Sequence, residues 1–367
     1  MDIIKISPPK NARIICISDI HGCYAAFEAL LKKCGYDKEK DYLFILGDLT
    51  EKGTENVAAI RKAMELCEDT KAVCIKGNND TMCTRMAFFD DREKFFKRLE
   101  RRSFNCYMEM AKTLGLERSD FENNFEESRD KASKAFEAEL KFMRNLPLAI
   151  ETEEYIFIHA GIENRLDWQN TPELFALTVP WFFDAEHQAE KTVVCGHYPT
   201  YNFEAANNTN LPIINEAKKI ICIDGGAATK YAGQINAFII NCKGGRKGEK
   251  SEYETLFEPV APKKTVKRFV HADIKPIYVN WEKYDFAVIG KEKDFLRVRI
   301  NQTGETGLIY ENHCARWDGR LHGWTNLNAF LSVKEGEEFA AAGETEEYYF
   351  GISENGQVGF LPKSCFL

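Results

Sequence analysis

The sequence predicts an α/β layered domain followed by small all-β units. Three observations predict this. From Arg13 to about Cys242, short apolar runs alternate with helical stretches and polar loops. Five of those runs end in a loop that carries Asp, Asn or His. Beyond residue 268, short alternating runs separated by Gly turns occur twice in the same order.

The first unit is a strand at Arg13–Ile17, a loop holding Asp19 and His21, and a helix from Tyr24 to Lys33. The second is the apolar run Tyr42–Leu46, then Gly47-Asp48, then a helical stretch from Asn56 to Cys67. An acid at the mouth of a buried strand stands where open α/β sheets hold ligands. The third run, Ala72–Lys76, leads to Gly77-Asn78-Asn79-Asp80. A region rich in Glu, Lys, Arg, Phe and Met follows, and reads as a helical insert at about 81–146. Strands resume at Tyr155–Ile158 before His159, at Thr192–Cys195 before Gly196-His197, and again at Ile220 and Ile235.

These boundaries give a first domain over 1–243, a polar Gly- and Pro-containing linker over 244–268, and β units at 269–320 and 321–367. In the repeat, Phe286–Gly290 matches Phe339–Gly343, and Gly304–Ile309 matches Gly356–Leu361. The Gly-x-x-Gly stretches near each end resemble bacterial SH3-like barrels.

The 367 residues carry a net charge of -8 and no concentrated basic block, so nucleic acid is not an expected partner. The run Asp91–Arg102 alternates charge sign around Phe95, Phe96 and Leu99, and reads as a solvated amphipathic helix rather than a binding patch. No stretch approaches the ~18 apolar residues of a membrane span. The first residues lack the pattern of a secretory signal. The 12 cysteines lie mostly in predicted strands and helices, with no Cys-x-x-Cys pair, which suits reduced thiols in a cytoplasmic protein.

Asp19, His21, Asp48, Asn78, His159 and His197 form a donor set of carboxylates, one amide and imidazoles, without thiolate. Such a set favours Mn, Fe or Zn over Ca or Mg. Singly, each residue is more often a helix cap, a turn residue or a core histidine. Together, at successive strand ends, they suit a two-metal site with ions roughly 3.5–4 Å apart, bridged by the two oxygens of Asp48. Two such cations turn a bound water into hydroxide and steady the charge on transferring phosphoryl oxygens.

At these residues the chain resembles the calcineurin-like metallophosphoesterase superfamily. The resemblance rests on Asp19-Ile20-His21-Gly22, Gly47-Asp48 with Gly53, Gly77-Asn78, His159-Ala160-Gly161 and Gly196-His197, and covers about residues 11–242. Bacterial-type serine/threonine phosphoprotein phosphatases and diadenosine tetraphosphate hydrolases are the relatives suggested. It implies a β-sandwich flanked by helices, with two divalent transition-metal ions at the loop edge, manganese being expected in vitro. Carried over, Asp19, His21 and Asp48 hold one ion, and Asp48, Asn78, His159 and His197 the other.

The departures concern the groups that clamp phosphate. Glu51 and Lys52 stand where the superfamily has Asp-Arg, and Asn79 stands where it has a histidine thought to protonate the leaving oxygen. Lys52 keeps a positive charge without arginine's planar fork. Near Thr178–Trp181 the further arginine of many relatives is absent. Asp48, Asn79, Glu51 and Lys52 are thus the candidate catalytic residues, with Lys52 and Asn79 contacting substrate; Asp80 is a second candidate acid. The expected activity is hydrolysis of a phosphorylated protein or small molecule. The alternative is a weak or inactive metal-holding scaffold whose SH3-like tail binds a peptide or protein.

Overall fold

A computed structural model describes residues 1–242, 251–279 and 285–367. The start of the expected linker, 244–250, and the expected boundary at 243 lie outside the described residues. The chain divides into two compact units. One comprises Met1–Pro199, Leu211–Thr229 and Gln234–Glu258; the other comprises Thr200–Asn210, Lys230–Gly233 and Pro259–Leu367.

The first unit opens with β1 (Ile3–Lys5), β2 (Arg13–Ile17), α1 (Tyr24–Lys33), β3 (Tyr42–Ile45), α2 (Asn56–Leu66) and β4 (Ala72–Cys74). Six helices follow: α3 (Asp80–Phe88), α4 (Arg92–Arg101), α5 (Cys106–Thr113), α6 (Arg118–Asn123), α7 (Phe125–Ala135) and α8 (Glu137–Arg144). Then come β5 (Ala149–Glu151), β6 (Tyr155–Ile158), α9 (Glu173–Thr178), β7 (Thr192–Cys195), β8 (Ile213–Asn215), β9 (Ile220–Cys222), β10 (Gln234–Asn241) and β11 (Glu252–Pro259).

Two sheets result, one ordered β1-β5-β6-β7-β9-β8 and the other β11-β10-β2-β3-β4. β2, β3 and β4 pair in parallel, as do β6, β7 and β9. Side chains alternate between the two faces of a strand, and β2 shows why its run is apolar throughout. Ile14 and Cys16 pack with Phe44, Phe157, Val194, Ile221 and Phe238, which come from both sheets and form the sandwich core. Ile15 and Ile17 point the other way, onto Phe27 and Leu30 of α1 and Ala59 of α2. Phe44 and Phe157 meet edge to face across the core, with centroids 4.8 Å apart. The sandwich flanked by helices is therefore the architecture. The insert has its own core, in which Phe95 stacks on Phe121 at 5.1 Å and lies 5.9 Å from Tyr107.

The described part of the expected linker is not a linker. β11 adds an edge strand beside β10, and β12 (Lys263–Thr265) pairs antiparallel with β18 (Glu338–Glu344) of the tail. The first half of β11 faces solvent, and its charged residues are ordinary for a sheet edge, where they discourage further pairing. That composition is what reads as linker. The first domain is also not continuous to 243, because Thr200–Asn210 and Lys230–Gly233 group with the tail. Within that second unit Asn208 exchanges backbone and side-chain bonds with Val358, at 3.0 and 2.6 Å.

Between β12 and β18 lie β13 (Phe286–Glu292), β14 (Phe295–Ile300), β15 (Thr306–Tyr310), β16 (Cys314–Trp317) and β17 (Arg320–Gly323). After β18 come β19 (Tyr348–Ser353) and β20 (Val358–Pro362). The internal repeat extends to backbone detail. β13–β14 and β18–β19 are antiparallel pairs whose register slips at Val288/Gly290 and at Ala341/Gly343, two residues before the matching end of each glycine-bearing run. All 12 cysteines are free thiols.

Candidate metal centre

The six expected donors lie at the carboxyl ends of β2, β3, β4, β6 and β7 and converge. Ligand atoms of Asp19, His21 and Asp48 form one group, and those of Asp48, His159 and His197 a second, each within 4.8 Å. Asp48 belongs to both groups, which is the position of a bridge. His21 Nε2 lies 3.6 Å from Asp48 Oδ2 and 3.8 Å from Asp19 Oδ1. His159 Nε2 lies 3.5 Å from Asp48 Oδ1. Asn78 Oδ1 is 3.0 Å from His159 Nε2 and 2.9 Å from His197 Nδ1.

The backbone is bent to achieve this. Asp19, His21, Asp48 and His197 have φ of 55°, 49°, 54° and 69°, in the left-handed region that non-glycine residues rarely enter. Each such residue costs on the order of 1 kcal/mol, and such strain collects at functional sites. Two glycines let the loops touch. A Cβ on Gly77 would overlap the Asp48 backbone and carboxylate, and one on Gly196 would overlap Ser18 Oγ and Asp19 Oδ2.

The donor atoms fit cations better than they fit each other. His159 Nδ1 donates to Leu46 O at 2.8 Å and His21 Nδ1 to Thr50 O at 3.1 Å. In a neutral ring that leaves Nε2 a bare lone pair. His159 Nε2 lies against Asn78 Oδ1, and His21 Nε2 faces two carboxylates. Burial pushes His21 and His197 down to about 4, so both rings are neutral near pH 7. Burial, then the charge of Asp48, pushes Asp19 up to about 8. Asp19 Oδ1 is buried with no hydrogen-bond partner among the described residues. Lys52 Nζ, a cation, already sits 3.3 Å from His21 Nε2. Closely spaced carboxylates, neutral imidazole rings and an orphaned carboxylate oxygen are the chemistry of a divalent-cation site.

The four candidate catalytic residues divide. Asp48 and Lys52 are at the centre. Asn79 is there too, but it holds Asp48: its Nδ2 donates to Oδ2 at 2.6 Å and its N–H to Oδ1 at 2.8 Å. Glu51 turns away. Its carboxylate accepts from Arg102 Nη1 at 3.1 Å and from the Cys106 N–H at 3.2 Å, at the start of α5. It therefore does not partner Asn79. Asp80 is a brace, accepting from the N–H groups of Asp48 and Gly77 at 2.8 and 2.9 Å and from Thr50. Where a further arginine was sought, Trp181 lies against Tyr198, the neighbour of His197, with centroids 4.5 Å apart.

Sequence reasoning missed Ser18, whose hydroxyl donates to Asp19 Oδ2 beside the His197 N–H at 3.0 Å. It also gave no role to Asp224, buried at the end of β9, whose carboxyl is held well above its ordinary range by burial and then by Asp19. The strand-end position of Asp224, shared with the six donors, was the available signal.

Residues 12–222, more than half of the chain, match the calcineurin-like phosphoesterase family. The chain belongs to that family. Among curated relatives of this phosphoesterase, a symmetrical bis(5'-nucleosyl)-tetraphosphatase of Vibrio vulnificus is 28% identical over 156 residues, 41% of this chain and 45% of the relative. One of Buchnera aphidicola is 43% identical over 67 residues, 18% of this chain and 24% of the relative. The matches thus span less than half of these relatives' own length. A solved protein serine/threonine phosphatase from Saccharomyces cerevisiae aligns over 75% of this chain and 86% of its own, at 12% identity and a TM-score of 0.43.

Proposed function

We propose that this phosphoesterase is a hydrolase acting through two divalent cations, with manganese effective in vitro, and that its substrates have leaving groups that depart without a proton. The observation that carries the reading is the convergence of the six expected donors, with Asp48 shared by both ligand groups. When bound, the two cations supply Lewis acidity and an activated water.

The chain's own residues do the rest. Asp19, His21, Asp48, Asn78, His159 and His197 would hold the cations. Asn79 fixes the plane of the Asp48 carboxylate through two hydrogen bonds. Lys52 provides a positive charge beside His21 for a phosphoryl oxygen. A proton donor for the leaving oxygen is missing from the residues expected to supply one. An amide does not release a proton near neutral pH, Glu51 faces α5, and Asp80 is bonded to backbone. Such a site favours phosphoanhydrides and aryl esters over serine-type alkyl esters. The tetraphosphatase names of the curated relatives agree with an anhydride substrate.

Among the described residues no helix is long and apolar enough to cross a membrane; a cytoplasmic site of action and a peptide-binding role for the β tail remain expectations from sequence. The test is turnover of an aryl phosphate by manganese-loaded protein, with Asp48→Asn as control. Turnover that the control abolishes supports hydrolysis. Metal binding without turnover of any aryl phosphate or anhydride supports the scaffold instead.

A further inference from the structure

Resting on the phosphoesterase reading, we propose that one face of α4 is a subsite for the phosphoanhydride chain of the substrate, beside the metal centre. Lys94, Lys97, Arg98 and Arg101 stand at i, i+3, i+4 and i+7, a single stripe along the helix. The opposite face is held down by Phe95 and Leu99, 0% and 2% exposed. The stripe lines a cavity of about 410 Å³ together with Arg102, Glu51 and the apolar side chains of Met82 and Met86. Five cations thus face one carboxylate.

Three of the five have carboxylate partners. Lys94 pairs with Asp91 at 3.4 Å, Arg98 with Asp90, and Arg102 with Glu51 at 3.1 Å. Lys97 and Arg101 have no side-chain hydrogen-bond or ion-pair partner among the described residues. Two uncompensated cations in a concave wall, with neighbours already neutralised, concentrate positive potential where an anion can reach it.

Both loops of the metal centre lead into this cavity. Glu51 is three residues past Asp48, and Met82 is four past Asn78. Arg98 Nη1 lies 2.8 Å from Met82 Sδ, so the stripe is one helical turn from the Asn78 ligand loop. A monophosphate ester fills only the centre. A substrate whose leaving group carries further phosphates extends onto Lys97 and Arg101, which supply the cationic charge absent near Trp181 and add a guanidinium where Lys52 has none. The run Asp91–Arg102 is then more than a solvated helix face.

The probe is inorganic tripolyphosphate, titrated by calorimetry into EDTA-treated full-length protein, so that metal loading does not enter. Lys97→Ala with Arg101→Ala should weaken binding on the order of tenfold. Lys131→Ala with Lys134→Ala removes the same charge from α7 and should change it less than about twofold. With manganese, kcat/KM for a dinucleoside tetraphosphate should fall at least about five times more than that for an aryl phosphate in the α4 variant. Equal losses from both double variants, no loss from either, or equal falls for both substrates would overturn the subsite. Tripolyphosphate binding that depends on Lys97 and Arg101, in a protein that turns over neither substrate, would uphold the anion site and reject hydrolysis.

Discussion

Asn79 grips both oxygens of Asp48, with Nδ2 on Oδ2 at 2.6 Å and the backbone N–H on Oδ1 at 2.8 Å. The residue expected at the superfamily's histidine position here holds the carboxylate shared by both donor clusters. That relationship underlies the proposed preference among phosphates.

Rates should depend steeply on the leaving group. General acid catalysis is typically worth 10²–10⁴-fold, chiefly for poor leaving groups. Without it, a phosphoserine peptide should react at least about 100-fold more slowly than an aryl phosphate. A series of substituted aryl and alkyl phosphates measures the slope. Near-equal rates for the two would mean that another group supplies the proton.

Arg102→Ala should destabilise the first unit more than Glu51→Gln does. The Glu51 side chain is fully buried, and removing Arg102 leaves its charge without the ion pair. Breaking a buried pair from one side costs about 3–5 kcal/mol, reduced here because the Arg102 side chain is 38% exposed and the Cys106 N–H remains. Glu51→Gln keeps an acceptor and removes the charge, so its cost should be smaller. Urea unfolding of the two variants gives the order, and the reverse order would contradict the geometry.

Much of this was legible in the sequence. Each of the six donors follows a run that is apolar because both strand faces are buried, as Ile14 and Ile15 on β2 illustrate. Strand ends therefore located the centre without any distance. Side-chain direction in the bent loops was not legible. Glu51 sits at φ 73°, and a left-handed residue turns its side chain away from the line that the extended chain suggests. β11 was hidden for another reason: an edge strand carries the charges of a linker. The solvated, amphipathic character of α4 was legible from its alternating charge, with Phe95 and Leu99 alone buried; which of its cations find partners was not.

In the tail, stability should fall as the pH is lowered through the His313 window. Burial holds the ring down to about 4 from an ordinary 6.5, and it packs against Tyr231 and Phe350. Above pH 6.5 the ring is neutral whether folded or not, and nothing changes. Between 6.5 and 4 only the unfolded chain takes up the proton, so folding loses stability, in all about 3 kcal/mol. His313→Gln removes this component. The stability difference between wild type and variant should therefore shift by about that amount between pH 7 and pH 4, and a pH-independent difference would exclude the buried neutral ring.

The most direct measurement is the metal content of Asp48→Asn beside that of the wild type, by elemental analysis after loading with manganese and removal of free ion. The wild type should carry about two ions per chain. Asp48 is the one residue common to both donor clusters, so its variant should lose more metal than Asp19→Asn, which belongs to one. Two ions retained in Asp48→Asn, or one at most in the wild type, would contradict a centre bridged by Asp48.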